Sequence, residues 1–383
     1  MNKDRLEQLM LEEVADHYIA GVQVAVYENG EEIFYHSCGV ADREKNLPLK
    51  KNTIMRLYSM TKPVTAVAAN ILRERGMLDF ERPVSDYLPE YTRMKVLYQE
   101  KAVPAEQPIL VKHLLSMTSG IVYPDFDSCG QMMEEVFDGI HGKIEVGNAD
   151  STREVIKKIA EVPLCFEPGT SWRYGLSVDV LGAIIEVVSG MKFSEFLKKE
   201  IFDPLEMYDT AFYVPEDKQH RFAQLYKRTE KGVLEIDQDR HLGLTLCLEP
   251  PAYEAGGAGL LSTLTDYSKF ARMLANKGSW NGVKILSEET VAAFMENTVS
   301  LQYLEENGFW QLKGYGYGNC MRINLGTGKS LSKESAGEFG WDGWTGPYVS
   351  VDAIQNRVIL VMQQVSGFDH WDFIWEIRNA VLC

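Results

Sequence analysis

The sequence predicts an α+β fold: an antiparallel sheet built from both ends of the chain and flanked by helices, with an α-rich lobe between the two halves. Three observations carry this. Strand-like residues and an Asn-Gly hairpin dipeptide stand near the N-terminus, strand character returns near the C-terminus, and from about Ser59 to Ala293 the apolar periodicity is mainly helical. At 383 residues the chain exceeds the size at which one core usually stops growing, so two packed lobes are expected.

In chain order, a first helix is expected over roughly Leu6–His17. Val22-Gln23-Val24-Ala25-Val26-Tyr27 reads as a strand, turned by Asn29-Gly30 into Ile33-Phe34-Tyr35. Helical patterns follow at Val64–Arg75, Ser151–Ala160, Val178–Ser189, Phe193–Ile201 and Leu264–Asn276, separated by Gly-Met, Ser-Gly and Pro-Leu breaks. Strands return at Gly316–Asn324, Tyr348–Asp352 and Arg357–Gln363, before a closing helix from His370 to Val381. Residues 1–58 and 305–383 are therefore expected to form one discontinuous mixed lobe and residues 59–304 the α-rich lobe. A catalytic cleft is expected between them.

Composition excludes several functions. The net charge of −16 comes without a basic stripe and argues against nucleic acid as a partner. No run of eighteen apolar residues is present, so no membrane-spanning helix is expected. The opening Met1-Asn2-Lys3-Asp4-Arg5-Leu6-Glu7 meets charge at once and lacks the apolar core of a secretory signal, which predicts a cytoplasmic protein. The six cysteines are scattered and the seven histidines form no His-Glu-x-x-His, so neither a metal site nor a cofactor is expected. Ile323 through Ser330 ends like a phosphate-binding loop but lacks its first glycine, and no Gly-x-Ser-x-Gly elbow occurs.

The sharpest chemical feature is Tyr58-Ser59-Met60-Thr61-Lys62, just ahead of a helical run from Pro63. Serine three residues before lysine, in the first turn of a helix, puts both side chains on one face. The positive end of the helix dipole disfavours an ammonium and lowers the lysine pKa, so a neutral amine can take the serine proton. Ser-x-x-Lys alone is common by chance, and a serine cap beside a solvated lysine would explain it equally well. Two further segments change the balance. Glu167 through Ser177 approaches a helix through turns and presents Tyr174, whose phenol could relay a proton. Phe339-Gly340-Trp341-Asp342-Gly343-Trp344-Thr345-Gly346 brings glycines to a strand edge, where a backbone N–H can approach a reacting carbonyl.

Ser59-x-x-Lys62, Tyr174 and Trp341-Asp342-Gly343, in that order, resemble the three-motif series of the serine β-lactamase and penicillin-binding-protein superfamily, closest in pattern to family VIII carboxylesterases. Leu114–Gly120, Pro204–Thr210 and Gly256–Thr263 resemble three further landmarks of that superfamily. The resemblance implies a serine β-lactamase-like fold and an acyl-enzyme on Ser59, with Lys62 and Tyr174 as a coupled proton-handling pair. It also implies an oxyanion hole from the N–H groups of Ser59 and Trp344, and a pocket including Trp341, Asp342, Gly343, Leu176 and Tyr123, with Trp310 and Trp344 as further candidate walls.

Two positions depart from the penicillin-recognising pattern. Leu176 stands where an asparagine usually holds a substrate amide, and Trp341 where a lysine or histidine helps hold a carboxylate. Arg173 and Lys329 are the nearest cations in sequence that could restore that grip. The expected activity is hydrolysis of small esters, the partner a small-molecule ester or amide. A β-lactamase or D-alanyl-D-alanine carboxypeptidase, and a non-catalytic ligand-binding module of the same fold, are the alternatives.

Overall fold

Gly21 to Tyr27 are buried without a break, so the first strand has no solvent face. That is what a strand covered by helices on both sides requires. The computed structural model describes residues 1–15, 19–237, 241–328, 333–367 and 370–383. Strands β1 (Gly21–Glu28), β2 (Glu31–Asp42), β3 (Leu47–Pro48), β4 (Tyr315–Gly318), β5 (Met321–Asn324), β6 (Phe339–Asp342), β7 (Tyr348–Asp352) and β8 (Arg357–Gln363) form one antiparallel sheet in the order β4-β5-β6-β7-β8-β1-β2-β3. The two ends of the chain meet where β1 pairs with β8, from Val22↔Gln363 to Glu28↔Arg357. The β1–β2 turn follows its sequence: Asn29 and Gly30 take φ of 51° and 80°, the left-handed pair a two-residue hairpin needs.

Register decides which helix covers which face. Tyr348 pairs with Val361 and Val361 with Val24, so these three share a face, and Tyr348 meets Trp371 of the closing helix Trp371–Leu382. The first helix, α1 (Lys3–Ala15), packs on that closing helix. Tyr27 lies three residues from Val24 and so on the other face, where Arg272 sits 4.6 Å over its ring. Arg272 belongs to the helix Leu264–Ala275, which packs across β1, β7 and β8. Beyond it lies the helix-rich region, centred on α2 (Thr61–Glu74), which packs against the helix Ser177–Ser189.

Several elements differ from the expectation. Gly316–Asn324, read as one strand, is the antiparallel hairpin of β4 and β5, turned at Asn319-Cys320. The pattern at 193–201 gives a short helix, Phe193–Leu197, followed by a wider turn, Lys198–Phe202, in which the adjacent Ile201 and Phe202 are both buried. The 18-residue helix Ser128–Glu145 was not anticipated. Gly130, Gly139 and Gly142 punctuate it like a loop, yet Asp127 caps it by accepting from the Gly130 N–H, and Met133, Phe137 and Ile140 give it a buried stripe. Among the described residues no helix is long and apolar enough to cross a membrane.

Candidate active site

Ser59 sits in a single helical turn, Tyr58–Met60, that runs directly into α2. Three contacts lock this turn to the Gly256–Thr263 segment and the helix after it. Leu57 N–H donates to Leu260 O at 2.9 Å, Leu260 N–H donates to Thr61 Oγ1 at 3.1 Å, and the Tyr267 hydroxyl donates to Met60 O at 2.9 Å. Tyr58 takes a φ of 45°, a conformation that costs a non-glycine residue about 1–3 kcal/mol and is held where the surroundings fix it. From the third motif, Gly343 closes on the same turn: a β-carbon there would lie 2.3 Å from Leu57 O and 2.6 Å from Pro347 Cγ. Only glycine lets the strand end approach the serine this closely.

Lys62 has no exposed surface. Its Nζ donates to Ser59 Oγ at 3.0 Å, to the Tyr123 hydroxyl at 3.0 Å and to Gly257 O at 2.8 Å, which uses its three protons. Loss of water lowers its pKa from the usual 10.5 to about 8, with the negative charge of Asp179 the largest force in the opposite direction. Both nearby phenols move the other way. Desolvation raises Tyr123 and Tyr174 well above 10, while bonds to the Ser59 hydroxyl act to lower each. Near neutral pH the site therefore holds two phenols and a lysine within reach of its neutral form.

Tyr174 is fixed on several sides. Its hydroxyl accepts the indole N–H of Trp341 at 2.8 Å, and Trp172, Phe309 and Tyr123 pack on its ring at centroid distances of 6.4, 5.0 and 5.6 Å. Lys62 Nζ lies 4.7 Å from the centre of that ring. Next to it, Ser119 and Ser177 share a hydroxyl–hydroxyl bond of 2.8 Å, so the 114–120 landmark braces the helix that follows Tyr174.

A cavity of about 270 Å³ opens over Ser59 and brings together most of the expected residues: Ser59, Tyr123, Tyr174, Trp341, Asp342 and Trp344. Gly343 lines the adjoining cavity instead. Leu176 is 1 % exposed in the core and lines neither. Arg173 is engaged elsewhere: it pairs with Asp125 and Asp127 and lies 3.0 Å from Cys165 Sγ. Asp127, Cys129 and Cys165 bring three potential metal-ligand atoms within 4.8 Å of one another, and the Arg173 guanidinium bonds to two of these residues, Asp127 and Cys165. Lys329 and the Trp310 side chain lie outside the described residues. The sequence reading did not include His241, which stacks on Trp344 at 4.5 Å, or Arg322 and Trp371, which also line the cavity. These come from a loop, an interior strand and the closing helix, and no local motif marks them.

The sequence profile of the family described as Beta-lactamase matches residues 6–377. Esterase EstB of Burkholderia gladioli is 27% identical over 373 residues, covering 94% of this chain and 89% of the esterase. Among solved structures, EstCE1, titled a hydrolase with promiscuous acyltransferase activity, superposes with a TM-score of 0.83 at 24% identity, over 99% of this chain and 98% of that one. Simvastatin synthase LovD of Aspergillus terreus superposes with a TM-score of 0.82 at 21% identity, over 98% and 96%. At these identities the two structures establish a common fold.

Proposed function

The chain belongs to the β-lactamase family, within the serine β-lactamase and penicillin-binding-protein superfamily, and from that premise we propose that it is a carboxylesterase acylated on Ser59. The observation that carries the proposal is the 3.0 Å bond between Ser59 Oγ and a Lys62 amine whose pKa burial has brought down to about 8. With both phenols raised, Lys62 is the group best matched to take a proton near neutral pH.

In the proposed cycle Lys62 accepts the Ser59 proton as Oγ attacks the ester carbonyl. The N–H groups of Ser59 and Trp344 receive the developing oxyanion. The alkoxide leaves as an alcohol, taking a proton through Tyr174 from the lysine ammonium. Water then attacks the acyl-enzyme with the same groups in reversed roles. Esters are favoured over β-lactams and D-alanyl peptides because the two polar grips for those substrates are absent: Leu176 is packed in the core, and Trp341 donates its only N–H to Tyr174. The name of the esterase relative supports the same choice. Incubation with a fluorophosphonate followed by peptide mapping tests the proposal: the adduct is expected on Ser59, and Ser59→Ala is expected to label no better than denatured protein. An adduct elsewhere would overturn it.

A further inference from the structure

Asp179 is a buried carboxylate that the scheme above does not use. It stands in the first turn of the helix that follows Tyr174, 2 % exposed; burial raises its pKa above the usual carboxylate value, opposed first by the charge of Lys62 and then by bonds from Tyr253, the Gly257 N–H and its own backbone N–H. Its Oδ1 accepts the Tyr253 hydroxyl at 2.7 Å and the Gly257 N–H at 3.1 Å. The carbonyl of that same Gly257 accepts the Lys62 ammonium at 2.8 Å. One residue thus has its N–H on a carboxylate and its C=O on the amine, so the bond to Asp179 fixes the position of the carbonyl that holds Lys62. Glycine is required there, since a β-carbon on residue 257 would stand 2.5 Å from Asp179 Oδ2. Adjacent Gly256 holds the segment against the same helix, where a β-carbon would meet Val178 O at 2.6 Å.

We infer that Asp179 is a positioning residue for Lys62, acting through Gly257: it fixes the carbonyl that orients the amine and offsets the positive charge that Lys62 acquires on taking the Ser59 proton. An ammonium with no exposed surface depends on its hydrogen bonds and on nearby negative charge in place of solvent. Lys62 faces hydroxyls of Ser59 and Tyr123, the Tyr174 ring, and the ionisable groups of Cys320 and Asp342, and among these charges Asp179 acts on it most strongly. The inference rests on the proposed role of Lys62 as base, and it adds a negative charge, one residue removed, to the serine and lysine of the motif.

The test is Asp179→Asn, whose amide oxygen can still accept from Tyr253 and Gly257 while the charge is gone, with Asp179→Ser as a second way to remove the charge should the first variant fold poorly. Titration of 13C-labelled lysine by NMR, with Lys62 assigned from Lys62→Arg, reads the amine without any need for turnover. Loss of the carboxylate is expected to move the Lys62 midpoint to lower pH, and to move the acid limb of kcat/KM for p-nitrophenyl butyrate with it. It is also expected to reduce the acylation rate on the plateau by roughly tenfold or more, as for a lost interaction with a charged group, at a KM within a few-fold of native. An unchanged Lys62 midpoint and unchanged acid limb in a folded variant would overturn the inference and reduce Asp179 to a structural residue. A shifted midpoint in a protein whose Ser59 takes no phosphonate would uphold the coupling and sink the esterase reading instead.

Discussion

Trp341 donates its indole N–H to the hydroxyl of Tyr174 at 2.8 Å, and the two rings pack with centroids 5.4 Å apart. A residue that reads in sequence as the loss of a cation is thus a donor to a candidate catalytic group. The bond leaves Tyr174 free to direct its own proton at Ser59 and opposes the rise that desolvation imposes on the phenol. Trp341→Phe keeps the wall and removes the donor. It is expected to lower kcat for p-nitrophenyl butyrate by about tenfold, the worth of a hydrogen bond of about 1–1.5 kcal/mol, with KM near the native value. A native kcat in this variant would show that the bond only packs the site.

Lys62→Arg tests the base. Arginine keeps the charge but does not deprotonate in a protein. Acylation by a fluorophosphonate or an ester is expected to slow by at least about a hundredfold. On the proposed mechanism the neutral amine is the active form, so kcat/KM should rise with pH and level off above about 8, where Lys62 has lost its proton. A rate that stays flat from neutral pH through that region would remove Lys62 from the role of base.

The same lysine should leave a mark on stability. Its pKa is about 8 in the folded protein against 10.5 when exposed, so between these values the unfolded chain binds more protons. By linkage, the folded state gains stability as pH rises through that window, and below about 8 the cost of burying the ammonium is present in full. The gain amounts to about 3 kcal/mol as an upper figure. Lys62→Met removes the titration, so its stability relative to native should be most favourable near neutral pH and should decline toward pH 10. Parallel urea-denaturation curves for the two proteins across this range would refute the burial account.

Substrate preference follows from side chains that the structure engages elsewhere. Arg173 is held by Asp125 and Asp127, and Trp341 by Tyr174, so neither is free to grip a substrate carboxylate. Losing a charged hydrogen bond of roughly 1.5–3 kcal/mol costs about ten- to a hundredfold in kcat/KM. On one preparation p-nitrophenyl butyrate should therefore exceed both nitrocefin and a D-Ala-D-Ala peptide. An order headed by either of the latter would replace the esterase proposal with a β-lactamase or peptidase.

What the sequence determined by itself is local or ordered along the chain. Asn29-Gly30 dictates its hairpin because both residues tolerate left-handed backbone, and the β-branched and aromatic residues on either side of it mark β1 and β2. Ser59 and Lys62 share a face because three residues make about one helical turn, so their meeting was legible before any folding of the chain. What only the tertiary structure decided depends on segments far apart in sequence. Gly257 supplies a carbonyl and Tyr123 a hydroxyl to Lys62 from positions 195 and 61 residues away, and Trp341 reaches Tyr174 across 167 residues. The extent of burial was equally out of reach: the pattern suggested that the helix start and partial burial would lower the Lys62 pKa, whereas the side chain is removed from water completely and that is the largest cause. Desolvation is a property of everything packed around a group, and a one-dimensional pattern carries the group without its surroundings.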